Sequence, residues 1–301
     1  MTTSKIAVLG ATGKVGFSAA ATLRAAGVPV RAVVRDAAKA TALQALGCEV
    51  GTADLLDPIK LRNAIAGTDA VQVLLPPPPQ AEDAPTEMHQ IAENLAEVIA
   101  ETQPRRVVAI SDYGAHLGEG VGMPSMFHAF EDQLRHLDNV DVVLLRSAEH
   151  MEGWAPFIPG AVATGVLPSF HHPVDAKFPT VSAPDVGLIA ADILRDESGG
   201  IEQVVHVEGP RRYSANDVAE SLSHLVGSPV AAQELPRSQW SEVLRLGLSA
   251  SAAHLVIDVY DAHNKGGLID VEPGSRAIRY GRTALTDALR PLMTMVEPSS
   301  N

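Results

Sequence analysis

Glycines at positions 10, 13 and 16 follow an apolar run, Lys5-Ile-Ala-Val-Leu9, and open an Ala-rich stretch through Gly10-Ala-Thr-Gly-Lys-Val-Gly16. The chemistry this order suits is anion binding. Glycine lets the chain turn tightly, admits a phosphate where a Cβ would block it, and packs a helix close on its strand. Unpaired N–H groups at the helix start then face the anion, so Gly10, Thr12, Gly13, Lys14, Val15 and Gly16 form a candidate cradle for a dinucleotide pyrophosphate.

Where a second strand follows such a unit, its end meets the adenine ribose; an acidic side chain there suits a free 2′-hydroxyl and an arginine a 2′-phosphate. The run Val30–Val34 ends in Arg35-Asp36. Arg35, with Lys39 four residues on, points to NADP(H), and Asp36 is read as a helix cap. If Asp36 faced the ribose instead, NAD(H) would be the partner. Ala53-Asp54-Leu55 is placed to touch adenine, and Leu75-Pro76, heading a run of four prolines, to form a stiff rim beside the nicotinamide ribose.

These residues need a scaffold that lines up several strand ends. Strand-like runs at 6–9, 30–34, 49–52, 70–75, 106–110 and 141–146 alternate with helical patterns at 15–26, 37–46, 58–66, 87–101 and 125–137. Alternation of this kind predicts an α/β fold, a Rossmann-type doubly wound parallel sheet. Beyond Arg146 a Pro- and Gly-dotted stretch, 155–184, is followed by a helix at 184–196 and a strand at 203–207. Helices are expected at 216–226, 239–246, 250–264 and 283–296. The division expected is an NAD(P)-binding core over residues 1–150 and a smaller C-terminal α/β substrate lobe over 151–301, within one compact unit.

Composition narrows the function classes. The 301 residues are 46% apolar, ample for a sizeable core, and the formal charge of −13 argues against nucleic acid or an anionic membrane as partner. A small-molecule substrate is expected instead. No signal-like or membrane-length apolar run occurs, which predicts a cytoplasmic protein. The single cysteine, Cys48, reads as a small buried filler. None of the four tyrosines has a lysine four residues on, and no Gly-x-Ser-x-Gly elbow, His-Glu-x-x-His or Cys-x-x-Cys is present, so no metal site is expected.

Taken together, Gly10–Gly16, Val33-Val-Arg35, Ala53-Asp-Leu55 and Leu145-Arg-Ser-Ala-Glu-His-Met-Glu-Gly-Trp154 resemble the NmrA-like family of atypical short-chain dehydrogenases. Ser182-Ala-Pro-Asp-Val-Gly187, Val207-Glu-Gly-Pro210 and Asn264-Lys-Gly-Gly-Leu268 extend the likeness over nearly the whole chain. The resemblance implies NADPH-dependent reduction of quinone-like acceptors, with Arg35 on the 2′-phosphate and Lys14 on the loop phosphates. It also implies that His150 lies around the substrate; Met151 and Trp154 are candidate pocket residues, an apolar residue there being equally suited to the core. Ser147, His150 and Gly153 depart from the family's Pro, Phe and Asn, which leaves the substrate open.

Aligned from the sixth strand, His128 falls where related reductases carry a catalytic lysine or histidine. It is the candidate proton donor, with Glu131 a helical turn away. Ser111 and Tyr113 stand where short-chain dehydrogenases hold a hydroxyl residue, and are candidates for binding ribose or substrate. A second reading stands beside the enzyme: a redox sensor that binds NADP(H) or NAD(H) without turnover and signals through a regulatory protein partner. Helix 250–264 is a candidate for pairing two copies as a homodimer, though an amphipathic helix also packs on its own domain.

Overall fold

The computed structural model describes residues 4–196, 198 and 202–295. Its strands are β1 (Ile6–Leu9), β2 (Val30–Val34), β3 (Glu49–Thr52), β4 (Ala70–Leu74), β5 (Arg106–Asp112) and β6 (Asp141–Ser147), then β7 (Glu149–His150), β8 (Val166–Ser169), β9 (Thr180–Val181), β10 (Val204–Glu208), β11 (Ala231–Glu234) and β12 (Ile278–Tyr280). Eight of them form one sheet in the order β3-β2-β1-β4-β5-β6-β10-β12, and every neighbouring pair is parallel. The order reverses at β1, between β2 and β4. That switch point opens a crevice beyond the carboxyl ends of the strands.

Side chains alternate along each strand, so the two faces of the sheet feed two cores. Ile6 and Val8 of β1 pack with Val108 and Ile110 of β5 on one face, while Ala7 and Leu9 pack with Val107 and Ala109 on the other. Helices Lys14–Ala25 and Ala183–Arg195 cover the first face. Here Gly187 is required: a Cβ would strike the Val15 carbonyl and sit 2.8 Å from Ser18 Cβ. Ser18 Oγ also donates to the Pro184 carbonyl at 2.7 Å, fixing the helix whose N-terminus bears the glycine loop. Pro58–Ile65, Ala84–Thr102 and Met123–Arg135 cover the second face.

The C-terminal half contributes β10 and β12 to the main sheet and adds a third core around Trp154, Ile158, Leu222 and Leu289. Two small parallel pairs, β8 with β11 and β7 with β9, belong to this half.

Most expected elements occur within a residue or two of their predicted bounds, and the departures have local causes. The helix expected over 37–46 is a 3-10 turn, Ala37–Lys39, and a short helix, Thr41–Ala45. The helix expected over 239–246 likewise resolves into Arg237–Gln239 and Trp240–Leu244. The last expected helix breaks into Leu285–Leu289 and the 3-10 turn Arg290–Met295, where Pro291 lacks an N–H. Val296, the end predicted for it, lies outside the described residues, as do residues 1–3 and 296–301. Helix Ala84–Thr102 starts before the expected Glu87 because Asp83 accepts from the Thr86 N–H at 3.1 Å. Cys48 is buried, which pushes its thiol pKa up. Among the described residues no helix is long and apolar enough to cross a membrane.

Candidate active site

A cleft of about 600 Å³ runs across the carboxyl ends of β1, β4, β5 and β6. Its first wall is main chain. Gly10, Gly13, Lys14, Val15 and Gly16 border it, and the helix begins at Lys14 with no side-chain cap from Gly13. Among the described residues the N–H groups of Lys14, Val15 and Gly16 have no acceptor, whereas the Gly13 N–H turns back to the Gly10 carbonyl at 2.9 Å. Gly10 takes φ +65, and a Cβ there would strike Leu74. A Cβ on Gly16 would lie 2.5 Å from the Gly10 carbonyl oxygen. This donor-rich, side-chain-free hollow fits a pyrophosphate.

At the outer end of β2, Arg35 and Lys39 are exposed, and among the described residues neither side chain has an ion pair or hydrogen bond. Asp36, by contrast, is engaged: its carboxylate accepts from the Ala38 N–H at 3.0 Å, the cap read from sequence. Asp54 closes its own turn on the Leu56 N–H at 3.0 Å, and the Leu55 carbonyl accepts from Asn94 Nδ2 at 2.9 Å. Arg35, Lys39, Asp54 and Leu55 thus stand at the β2–β3 edge, outside the cleft proper, and Thr12 is exposed beside it. Leu75 and Pro76 do border the cleft, with Leu74 and Pro77.

The far end is built from side chains of distant segments. Ser111 and Asp112 end β5, Ser147 ends β6, and Ala148, Glu149, His150 and Gly153 follow it. Met123 and Phe127 reach in from helix Met123–Arg135, and Val256 and Tyr260 from helix Ala250–Asn264. A smaller cavity of about 150 Å³ adjoins, sharing Asp112, Met123, Glu149, Val256 and Tyr260 with the cleft and adding Tyr113, Pro179, Val259, His263 and Ile269. Met123, Phe127, Val256, Val259, Pro179 and Ile269 give this end its apolar surface, around the polar groups of Ser111, Asp112, Ser147, Glu149, His150, Tyr260 and His263.

A buried network fixes the floor. Glu131 is fully buried; Arg146 Nε and Nη2 donate to it at 2.8 and 2.7 Å, Arg135 Nη2 at 2.8 Å and Ser111 Oγ at 2.6 Å. Arg146 Nη1 reaches Glu272 at 2.6 Å. Helix Met123–Arg135 is thereby tied to the ends of β5 and β6. Glu152, from the Met-Glu pair of the sequence motif, accepts from Ser182 Oγ and the Ala183 N–H, each at 2.9 Å, capping the helix that backs the glycine loop.

The two carboxyls on the acceptor side differ in their surroundings. Glu149 accepts from His171 Nε2 at 3.0 Å and Tyr260 OH at 3.2 Å, with His263 Nε2 at 3.8 Å. Burial alone would lift its pKa, but His171, His263 and Tyr260 outweigh burial and hold it below the usual carboxylate range. Among the described residues the Asp112 carboxyl has no side-chain partner. Burial, then the charge of Glu149, push it up to about 8 against a hydrogen bond from the Tyr113 N–H, with Glu131 adding to the rise.

The sequence candidates separate accordingly. Ser111 and His150 reach the cleft, but the Ser111 hydroxyl is spent on Glu131. His150 Nε2 lies 3.1 Å from Ser147 Oγ, and burial holds its pKa down despite Glu152 and Glu149. Tyr113 presents its ring to the inner cavity, and its hydroxyl donates to Glu208 at 3.3 Å. His128 is not at the cleft. Its Nδ1 sits 2.8 Å from the Ala115 carbonyl and its Nε2 3.5 Å from Asp132, because the helix turns Phe127 and Glu131 inward in its place.

Met151 and Trp154 also require correction as substrate residues. Both are packed in the third core, Met151 completely, since the backbone turns inward after His150. Asp112 and Glu149 were unassigned members of motifs already singled out. Val256, Tyr260 and His263 could have been found from their spacing along one helix face. The helix at Ala250–Asn264, a candidate for pairing subunits, is thus a wall of the cleft.

Comparison with known proteins accords with this geometry. Residues 10–148 match the model of a family described as NAD(P)H-binding. The chain is 26% identical over 257 residues to the NAD(P)H azoreductase of Xenophilus azovorans, covering 85% of this chain and 86% of that one. It is 26% identical over 297 residues to quinone oxidoreductase 2 of Escherichia coli K12, covering 96% and 99%. The structure of that Escherichia coli enzyme with NADPH superposes with a TM-score of 0.76 at 25% identity over 96% of this chain and 99% of its own. A mutant NmrA shares the fold, with a TM-score of 0.72 at 17% identity over 98% and 92%. Residues 10–148 are thus an NAD(P)H-binding domain, set in a chain that shares its fold with quinone oxidoreductase 2 and with NmrA.

Proposed function

We propose that this chain is an NADPH-dependent oxidoreductase that passes hydride to a small planar carbonyl or quinone-like acceptor. One observation carries the reading: a single cleft joins the glycine cradle over β1 to an apolar chamber over β5 and β6. The adenosine half belongs over β2 and β3, on the Arg35 side, so the reactive ring extends the other way, past Leu75 and Pro76. When bound, the nicotinamide supplies hydride. The chain's own work is to hold the diphosphate on main-chain N–H groups, to place the acceptor between Phe127, Val256 and Tyr260, and to keep water from the transfer. Arg35, whose side chain has no partner among the described residues and stands beside a capping Asp36, favours the 2′-phosphate and hence NADPH over NADH.

Both relatives carry names of reductases, one of azo compounds and one of quinones. The test is steady-state oxidation of NADPH and NADH with a panel of benzoquinones, naphthoquinones, azo dyes and enals. Turnover with NADPH and a quinone-like acceptor is the expected result. Tight NADPH binding with no turnover across the panel would move the chain to the redox-sensing reading.

A further inference from the structure

We propose that Asp112, whose carboxyl stands where the cleft meets its inner cavity, is the proton donor to the reduced acceptor. The inference rests on the reductase reading above. Asp112 ends β5 and is shared by both cavities, on the side of the cleft away from the Arg35 end. Among the described residues the other proton-bearing groups of the site are engaged elsewhere: His150 Nε2 lies 3.1 Å from Ser147 Oγ and His263 Nε2 3.8 Å from Glu149. Ser111 donates to Glu131, Tyr113 to Glu208, Tyr260 to Glu149, and His128 lies outside the cleft.

The groups around Asp112 explain its state. Glu149 faces it from β7 and Glu131 from helix Met123–Arg135, both acidic; Tyr113 gives it a backbone N–H, while Tyr260 and His263, from helix Ala250–Asn264, are turned to Glu149. Among the described residues no lysine, arginine or histidine forms an ion pair or hydrogen bond with Asp112. Glu149 therefore collects the compensating partners and stays ionised, and its charge helps keep the proton on Asp112. Two carboxyls pushed in opposite directions within one site is the arrangement that divides acid from base in many enzymes.

The step balances. Hydride adds to one end of the acceptor's conjugated system, an electron pair moves to the acceptor's oxygen or nitrogen, and that atom takes the Asp112 proton. The O–H bond of the acid breaks, an O–H or N–H bond of the product forms, and water reprotonates the carboxylate after product leaves. Proton transfer of this kind contributes on the order of 100-fold or more.

Two experiments decide it. In apoprotein labelled with carboxyl-¹³C aspartate, one resonance should titrate near pH 8 and be missing from Asp112→Asn. If no aspartate titrates above pH 6, the proposal is wrong. With NADPH and a naphthoquinone, wild-type kcat should fall about 10-fold per unit of pH above 8. Asp112→Asn should be about 100-fold slower at pH 7 with that limb gone, Asp112→Glu should recover part of the rate, and both variants should still bind NADPH. A kcat for Asp112→Asn within about 3-fold of wild type, or a retained limb, overturns the donor role while the reductase reading stands. Wild-type protein that binds NADPH but reduces nothing fails the reductase reading and the donor role with it, whatever the resonance shows. Should Asp112→Asn not fold, the wild-type resonance and pH profile still decide, since both must break near pH 8.

Discussion

At the cofactor end of the cleft the wall is backbone from five residues of one short loop, Gly10 and Gly13 to Gly16; at the acceptor end it is side chains from β5, the β6–β7 turn and two helices more than a hundred residues apart. The first is a local device, in which glycine spacing sets both the shape and the hydrogen-bond donors. The second exists only after long-range packing has brought Asp112, Phe127, Glu149 and Tyr260 together. One end is thus a property of sequence and the other of assembly, and they should fail differently when damaged.

The acceptor end should collapse first. Arg146→Met removes both bonds to the fully buried Glu131 and leaves a carboxylate holding only Arg135 and Ser111. Breaking a buried pair from one side costs about 3–5 kcal/mol. Urea unfolding should show that loss, with the pairing of Arg146→Met and Glu131→Leu less harmful than the sum of the two. If Arg146→Met shifts stability by under about 1 kcal/mol, the network does not hold the floor.

Gly16→Ala probes the other end. Its Cβ would meet backbone, the Gly10 carbonyl oxygen at 2.5 Å and Ala11 Cα at 2.9 Å, so the loop must move and the donors with it. NADPH affinity should fall about 100-fold, or about 2.7 kcal/mol, by fluorescence titration. The regular elements of the sheet should survive, because the loop lies at their edge. A variant that binds normally would show that the loop yields without losing its donors.

The same division governs what could be read in advance. The strands β1 to β6, their alternating faces and the glycine cradle follow from short-range patterns, and their bounds were legible to within a residue or two. Strand β12 was not, since three residues carry no period. The Asp36 cap was legible because a strand end offers few alternatives. His128, Met151 and Trp154 misled because a place in a motif says nothing of which way a side chain turns. Glu131 takes the inward position on the helix, and the chain after His150 turns Met151 and Trp154 into a separate core. Asp112 was passed over between two hydroxyl residues, since its character comes from Glu149 and burial, neither adjacent in sequence.

Buried histidines give the acceptor side a pH dependence that the cofactor side lacks. Burial holds His206 and His263 at about 4, with Arg146 the next cause for His206, and Glu149 opposing for His263. Their folded pKa lies below the unfolded value near 6.5, so the unfolded chain binds more protons between pH 4 and 6.5. Stability contributed by the neutral rings is therefore full above pH 6.5 and is lost as pH falls towards 4. At pH 5 each should cost about 2 kcal/mol relative to pH 7. Denaturant melts of wild type and His263→Phe across that range would test this, the variant losing about half of the slope.

The smallest effect tests whether the cofactor end extends beyond the cleft at all. Arg35 is exposed, so its attraction for a 2′-phosphate is screened by water and salt, and about 1.4 kcal/mol is a reasonable ceiling for one such contact. Arg35→Ala should therefore lower the ratio of NADPH to NADH affinity about 10-fold at low salt and less at 0.5 M, leaving NADH affinity unchanged. Asp36→Ala separates the competing assignment. As a cap, Asp36 should affect stability by about 1 kcal/mol and leave the cofactor ratio alone; as a ribose ligand it would lower NADH affinity instead. If Arg35→Ala leaves the ratio unmoved while Asp36→Ala weakens NADH, the nucleotide is read by Asp36, and the preference for NADPH drawn from the sequence is reversed.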